Sequence, residues 1–337
     1  LLNCFEWFPR QSQFHKDYAE YSHSDIGTIR RQIAHLTQVV ETQMCSQQWH
    51  EINYSQVPSI ANKKYNQAFK RNDSSRYEDF LNQVVRGETK VNSSVLYPHE
   101  IVYKARQYND IEQIQANALW TNLPNYMEEN QMNILPIIDT SGSMGSIVYK
   151  PYSCLDIAIG LGLYFAEHNT GDFKDIWCNF SDRPTFMKLE GKTITQRVKN
   201  LDYDNWNMST NLQAVFNMIL PISVKNPESC PKIILIVSDM EFNATLGYGT
   251  NFEAIKEKYA NAMLELPTIV FWRVDIKNIQ QPVTQHESGA ILINGYSASI
   301  MKLMCSMDIK SIQDITPLNM MHKALERYSF VNNIFSK

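Results

Sequence analysis

The sequence predicts an α/β protein, a doubly wound and mostly parallel sheet preceded by an all-α helical module. Three observations carry this. Residues 1–130 hold only two glycines, Gly27 and Gly87, and space their apolar residues by three and four. From residue 132 onward, short apolar runs alternate with helical patterns. Those runs are apolar throughout instead of at every second position, which marks strands covered on both faces.

Taken in order, Tyr65 and Phe69, then Tyr77, Phe80, Leu81, Val84 and Val85, give the helical spacing of the first part. Two turn signals punctuate it. Val57-Pro58-Ser59 offers Ser59 as a helix cap, and Tyr97-Pro98-His99-Glu100 offers Pro98 for a first helical turn. The polar, Pro-broken stretch 122–130 is the joint, so the predicted domains are 1–130 and 131–337. Strands follow at 133–138, 175–180, 232–237, 268–272 and 290–293, with helices at 154–168, 212–220, 252–264 and 298–304. Gly160-Leu161-Gly162 sits inside an apolar helix with no third glycine and reads as helix packing, not a dinucleotide loop.

Composition limits the function classes. With 337 residues, 44% hydrophobic and 20% charged, the chain is ordinary globular material, and disorder is excluded. Its formal net charge of -4 provides no global basic surplus for nucleic acid or anionic lipid. Six scattered cysteines without a CxxC pair argue for reduced thiols in an intracellular setting, not for a disulfide framework or a zinc site. No apolar run reaches the roughly 20 residues a bilayer requires. The expectation is therefore a cytoplasmic protein with no membrane partner. A chain opening on Leu1 reads as a fragment.

The chemistry concentrates after the first strand. Asp139-Thr140-Ser141-Gly142-Ser143-Met144 puts a carboxylate and two serine hydroxyls at the carboxyl end of that strand, where open α/β sheets hold ligands. Thr210 opens a later helix and Asp239 ends a later strand. A polar turn alone would be unremarkable. Five hard oxygens at three element junctions suit Mg²⁺ or Mn²⁺, whereas zinc would want nitrogen or sulfur. An aspartyl-phosphate phosphatase would need a second Asp two residues after the first, and Ser141 stands there. Neither a P-loop, an HExxH pair nor a GxSxG elbow is present. The segment 202–207 reads as a candidate rim for this site, and Glu241 as a solvent-facing neighbour.

This DxSxS, Thr, Asp order resembles the metal-ion-dependent adhesion site of von Willebrand factor type A domains. The resemblance implies that Asp139, Ser141, Ser143, Thr210 and Asp239 hold the ion, which keeps an open position for an acidic side chain of a protein partner. Binding, not catalysis, is the implied task. Here Met240 stands where such domains commonly have Gly. The segments 49–59, 97–101 and 289–297 are similar to an uncharacterised family of plants, fungi, bacteria and giant DNA viruses, in which a TROVE-like helical module precedes an A-type domain. That arrangement is similar to the Ro ribonucleoprotein, and it implies a small structured RNA as an alternative partner. The abundance of Asn, Ile, Lys and Tyr fits an AT-rich genome, so a giant virus is the expected source, with virion association as an alternative location.

Charge offers a test of the RNA alternative. Residues 57–106 carry nine Lys and Arg against five Asp and Glu, with Lys63, Lys64, Lys70, Arg71 and Arg76 as the candidate contacts. Tyr65, Phe69, Tyr77 and Tyr103 interleave with them as stacking platforms would. Residues 1–131 as a whole hold 13 basic and 15 acidic residues, and amphipathic helices also solvate Lys and Arg while burying aromatics. A metal-dependent hydrolase is the third reading, though it lacks a visible base or nucleophile beyond the ligands.

Overall fold

The structure is a computed structural model that describes residues 12–36, 39–90, 96–128, 133–180, 183–201, 211–240, 251–275, 290–296 and 298–305. The chain forms two compact units, residues 1–92 and 93–337. Packing thus divides it earlier than the change of sequence pattern at 130.

The first unit is helical: α1 (Ser12–Tyr21), α2 (Ile26–Leu36), α3 (Val40–Cys45), α4 (Ser59–Asn72) and α5 (Ser74–Val85). Helix α4 starts at Ser59 with Pro58 at the N-cap, so Ser59 lies inside the helix instead of capping it. The aromatic spacing builds its core. Phe69, Tyr77 and Leu81 are buried, and the Tyr54 ring sits 5.2 Å from Phe69 and 5.0 Å from Tyr77. Buried hydroxyls find partners: Tyr54 donates to Asp73 at 2.7 Å and Tyr77 to Asn62 at 2.8 Å.

The second unit opens with α6 (Pro98–Ala105) and α7 (Asp110–Thr121), then enters the sheet at β1 (Ile134–Asp139). Pro98 occupies the first turn of α6, as predicted, because that turn has no use for its missing N–H. After β1 come a short hairpin, β2 (Ile147–Tyr149) and β3 (Tyr152–Ser153), and helix α8 (Cys154–His168). Next follow β4 (Ile176–Phe180), β5 (Phe186–Lys188), α9 (Ile194–Lys199), α10 (Leu212–Lys225) and β6 (Ile233–Ser238). The described part closes with α11 (Asn251–Asn261), β7 (Thr268–Arg273), β8 (Ala290–Asn294) and α12 (Ala298–Cys305). The hairpin, β5 and α9 were absent from the sequence reading, being too short for a periodic signal. Helix α10 runs past its predicted end and takes Pro221 into its last turns, because Ile219 and Ser223 on either side of it are buried. Burial there outweighs the lost backbone hydrogen bond.

Among the described residues six strands form one sheet in the order β5-β4-β1-β6-β7-β8, parallel throughout except for the β4–β5 pair. Its faces separate by residue parity. Leu135, Ile137, Ile234, Ile236, Ile269 and Phe271 meet Val215, Phe216, Ile219, Ile255 and Tyr259 of α10 and α11 in one core. On the other face α8 lies across the sheet, with Phe165 against Trp272 at 5.9 Å between ring centres. Helices therefore cover both faces, which is why the strands are apolar throughout.

The two glycines of α8 are packing positions. A Cβ on Gly162 would overlap the Ile138 side chain of β1, and one on Gly160 would lie 2.5 Å from the His99 backbone nitrogen of α6. Gly160→Ala is therefore expected to force α6 away from α8 and cost about 1–3 kcal/mol, as overpacking does. Urea unfolding checks this; an unchanged midpoint would mean that α6 is not held by this contact.

Candidate metal centre

Strand β1 ends in the middle of the sheet, and the order of strands reverses between β1 and β6, which makes their carboxyl ends the switch-point crevice. Asp139 ends β1 with no exposed surface. Its Oδ1 accepts from the Ser141 N–H at 2.9 Å, so the side chain folds back over its own turn. Ser141 then stands at the N-cap position of one 3₁₀ turn, Gly142–Gly145, which is pinned by the buried Met144. This turn brings the Ser141 and Ser143 hydroxyl oxygens to 3.1 Å of each other.

The neighbouring strand supplies the rest. Ile138 pairs with Val237, so Ser238 arrives beside Asp139, and Asp239 follows it, 3% exposed. Ser238 Oγ donates to Asp139 Oδ2 at 2.5 Å and accepts from the Met240 N–H at 2.9 Å, tying the two segments together. Nothing in the run Ile236-Val237-Ser238-Asp239 shows which strand Ser238 will face, so its role is visible only in the folded sheet.

Burial drives the Asp139 carboxyl up to about 6, against the pull of the Ser238 and Ser141 hydrogen bonds, and the negative charge of Asp239 adds to the rise. Two carboxylates and two hydroxyls thus converge where an added cation would relieve both desolvation and repulsion. Thr140 Oγ1 is also buried without a hydrogen-bond partner among the described residues. The donor set fits a hard divalent cation. Thr210, Glu241 and the segment 202–207 lie outside the described residues. Among the described residues no three His, Cys, Asp or Glu side chains gather as a metal cluster.

Cys154, the first residue of α8, is fully buried and its thiol is pushed up to about 12, by burial first and then by the charges of Asp275, Asp239 and Asp139. It is no nucleophile at neutral pH. All five described cysteines are free thiols. Alkylation of the native protein, mapped by mass spectrometry, is expected to label the exposed Cys45 and to spare Cys154 until the protein unfolds. Labelling of both at one rate would place Cys154 in solvent.

The proposed RNA contacts fare differently from one another. Arg76 is committed to structure: its Nη1 donates to Asp73 at 2.7 Å and to the Trp49 carbonyl at 3.0 Å, and its Nη2 to the Ile52 carbonyl at 3.0 Å. Phe69 and Tyr77 are core residues, because a helix that solvates its lysines must bury its aromatics, so they offer no stacking platform. Tyr103 belongs to the second unit, packed on Tyr152. Lys64 and Arg71 are exposed, whereas Lys63 and Lys70 are half-buried. A cleft of about 490 Å³ in the first unit is lined by Glu51, Asp79 and Arg76 among others, a mixed charge and not a basic groove.

These features define an α/β domain with carboxylate and hydroxyl oxygens gathered at the carboxyl edge of its sheet. Residues 133–327 match the family model described as a domain of unknown function (DUF7788), and the chain belongs to that family. Residues 8–135 match a second model, also described as a domain of unknown function (DUF2828). The chain is similar to Uncharacterized protein L728 of Acanthamoeba polyphaga mimivirus, 26% identical over 365 aligned positions covering 98% of this chain and 61% of that protein. It therefore spans about three-fifths of that relative's length. No described helix is long and apolar enough to cross a membrane.

Proposed function

We propose that the second unit is a von Willebrand factor A-like binding domain, which holds Mg²⁺ or Mn²⁺ through Asp139, Ser141, Ser143, Asp239 and Thr210 and receives an acidic group of a partner protein. The observation that carries this is the pairing of β1 with β6, which joins Asp139 and the two serine hydroxyls to Ser238 and Asp239 in one crevice, although 99 residues separate Asp139 from Ser238. The ion would supply a positive charge with an unfilled position. Asp139 and Asp239 would neutralise part of it, and the serines would complete the ligand set without adding charge.

The test is calorimetric titration of the chelator-treated chain with MgCl₂ and MnCl₂. Saturable binding that Ser141→Ala and Ser143→Ala together weaken supports the reading. Indifference of the wild-type chain to both ions rejects it.

The alternative is an RNA-binding, TROVE-like role for the first unit, supported by the exposed Lys64 and Arg71 of α4. It predicts that Lys64→Glu with Arg71→Glu weakens RNA binding and flattens its salt dependence. Purified chain free of nucleic acid at low salt counts against it. A metal-dependent hydrolase is the third reading; among the described residues the ligands themselves are the candidate base or nucleophile, and turnover of a phosphate-ester panel with Mn²⁺ would favour it over a scaffold.

A further inference from the structure

Tyr97 and His99, from one segment singled out in the sequence, meet Tyr296, from another, at a cluster of rings in the second unit. His99 is buried at its base, and its Nε2 lies 2.6 Å from the Tyr149 hydroxyl. Tyr97 stacks on His99 at 5.5 Å, and Tyr296 stacks on Tyr149 at 5.2 Å. The Tyr296 ring also stands edge-on to His99 at 5.5 Å. Tyr97, Tyr149 and Tyr296 each keep part of their surface in solvent.

This cluster shares the candidate metal edge. Tyr149 sits on the hairpin that leaves the Ser141–Ser143 turn, and Cys154, just beyond the hairpin, donates its N–H to Ser146 at 2.9 Å. Tyr296 follows β8, which runs parallel with β7 and β6, so it emerges at the same end of the sheet as Asp239. Strands lie about 4.8 Å apart, which puts β8 roughly 10 Å from β6. The hairpin adds Ile147, 49% exposed, and the exposed Lys150.

The wall is rigid. The His99 backbone is seated against Gly160 of α8, and α8 is seated on β1 through Gly162, so the rings are braced on the strand that carries Asp139. Tyrosines held in this way offer apolar contact area and a hydroxyl at little entropic cost, the usual material of binding surfaces.

We infer that Tyr149 and Tyr296, with Ile147 and Lys150, form the selectivity wall of the metal crevice, and that the partner segment is an acidic peptide with an aromatic side chain next to the carboxylate that seeks the ion. The inference rests on the metal reading above. Charge chooses this occupant: the ion and Lys150 are both positive, which favours carboxylates, while the half-exposed rings and Ile147 favour an apolar neighbour to them.

The test measures, with the full chain and MgCl₂, the affinities of three synthetic peptides: Ac-Gly-Asp-Trp-Gly-NH₂, Ac-Gly-Asp-Gly-Gly-NH₂ and Ac-Gly-Asn-Trp-Gly-NH₂. Change in protein tyrosine fluorescence on adding the Trp-free peptide gives a second readout. The Asp-Trp peptide is expected to bind about tenfold tighter than the Asp-Gly peptide, the size of one good ring contact, and the Asn peptide to bind poorly. Tyr296→Ala should erase the tenfold preference while leaving Mg²⁺ binding unchanged. Tyr149→Phe, which keeps the ring, should retain it. Equal binding of both acidic peptides, or a preference that survives Tyr296→Ala, overturns the selectivity wall while the metal site stands. Tighter binding of an oligouridylate than of any peptide also overturns it. Absence of Mg²⁺ binding in the wild-type chain overturns the metal reading itself, and this inference with it.

Discussion

Asp139→Asn is expected to stabilise the metal-free protein and to abolish its response to Mg²⁺. The carboxyl is fully buried and its ionised form is disfavoured, with a folded-state value near 6 against 3.8 for the unfolded chain. A raised carboxyl value makes ionisation a cost to the folded state. That cost is fully present above about pH 6 and disappears as pH falls below 3.8, and it amounts to about 3 kcal/mol. Asparagine keeps the shape without the charge. Its Oδ1 can accept from the Ser141 N–H, and its amide can donate to Ser238 Oγ. In chelator, urea unfolding should therefore show the variant more stable than wild type at pH 7, with the gap closing as pH drops through 6 toward 4.

Added Mg²⁺ should reverse the order. A hundredfold excess of ion over its Kd would stabilise the wild-type chain by about 2.7 kcal/mol. The variant, lacking one of two carboxylates, should gain almost nothing. A group that costs stability in the empty protein and returns it on binding is the pattern expected of a functional site, not of a structural hydrogen-bond turn. A variant less stable than wild type in chelator, or one with an undiminished Mg²⁺ response, would remove Asp139 from the site.

Asp156→Ala is expected to destabilise the second unit by about 3 kcal/mol, read as a lower urea midpoint. Two roles meet in this side chain. Its Oδ2 accepts from the Ser153 N–H at 2.9 Å and from Ser153 Oγ at 2.7 Å, while Ser153 Oγ in turn accepts from the Asp156 N–H at 3.2 Å, a reciprocal cap at the start of α8. Its Oδ1 accepts from Arg106 at 2.6 Å, tying the end of α6 to the start of α8. Asp156 is almost fully buried, and truncation leaves the Arg106 guanidinium, itself only 36% exposed, without this partner. Asp156→Asn should recover most of the cap and lose the ion pair, giving an intermediate midpoint. If both variants unfold with wild-type midpoints, α6 is held by its apolar contacts alone.

Legibility in the sequence was uneven for physical reasons. Helix α8 was readable to the residue, Cys154 to His168, because a long apolar run ends at Glu167 and His168 and a Ser stands before it. The five parallel strands were readable to within a residue or two because buried strands are apolar runs of limited length. The position of Asp139, Ser141, Ser143 and Asp239 at the ends of strands was readable as well, since the end of an apolar run is a local feature. Helices α6 and α7 looked like part of the preceding helical half, for periodicity says that one face is buried and does not say against what. Only packing assigned them to the sheet unit.

The sequence by itself determined the alternation of strands and helices, the hard-oxygen character of the turn after β1, and the role of Gly160 and Gly162 in packing. Tertiary structure alone decided that β1 lies beside β6, that Ser238 holds Asp139, that Arg76, Phe69 and Tyr77 serve the core, and that Tyr97, His99, Tyr149 and Tyr296 gather at the same edge of the sheet. Local patterns record how much of a residue is covered. Which partner covers it depends on strand order and on contacts between residues as far apart in the chain as 99 and 296, and these are set only when the whole unit closes on its core.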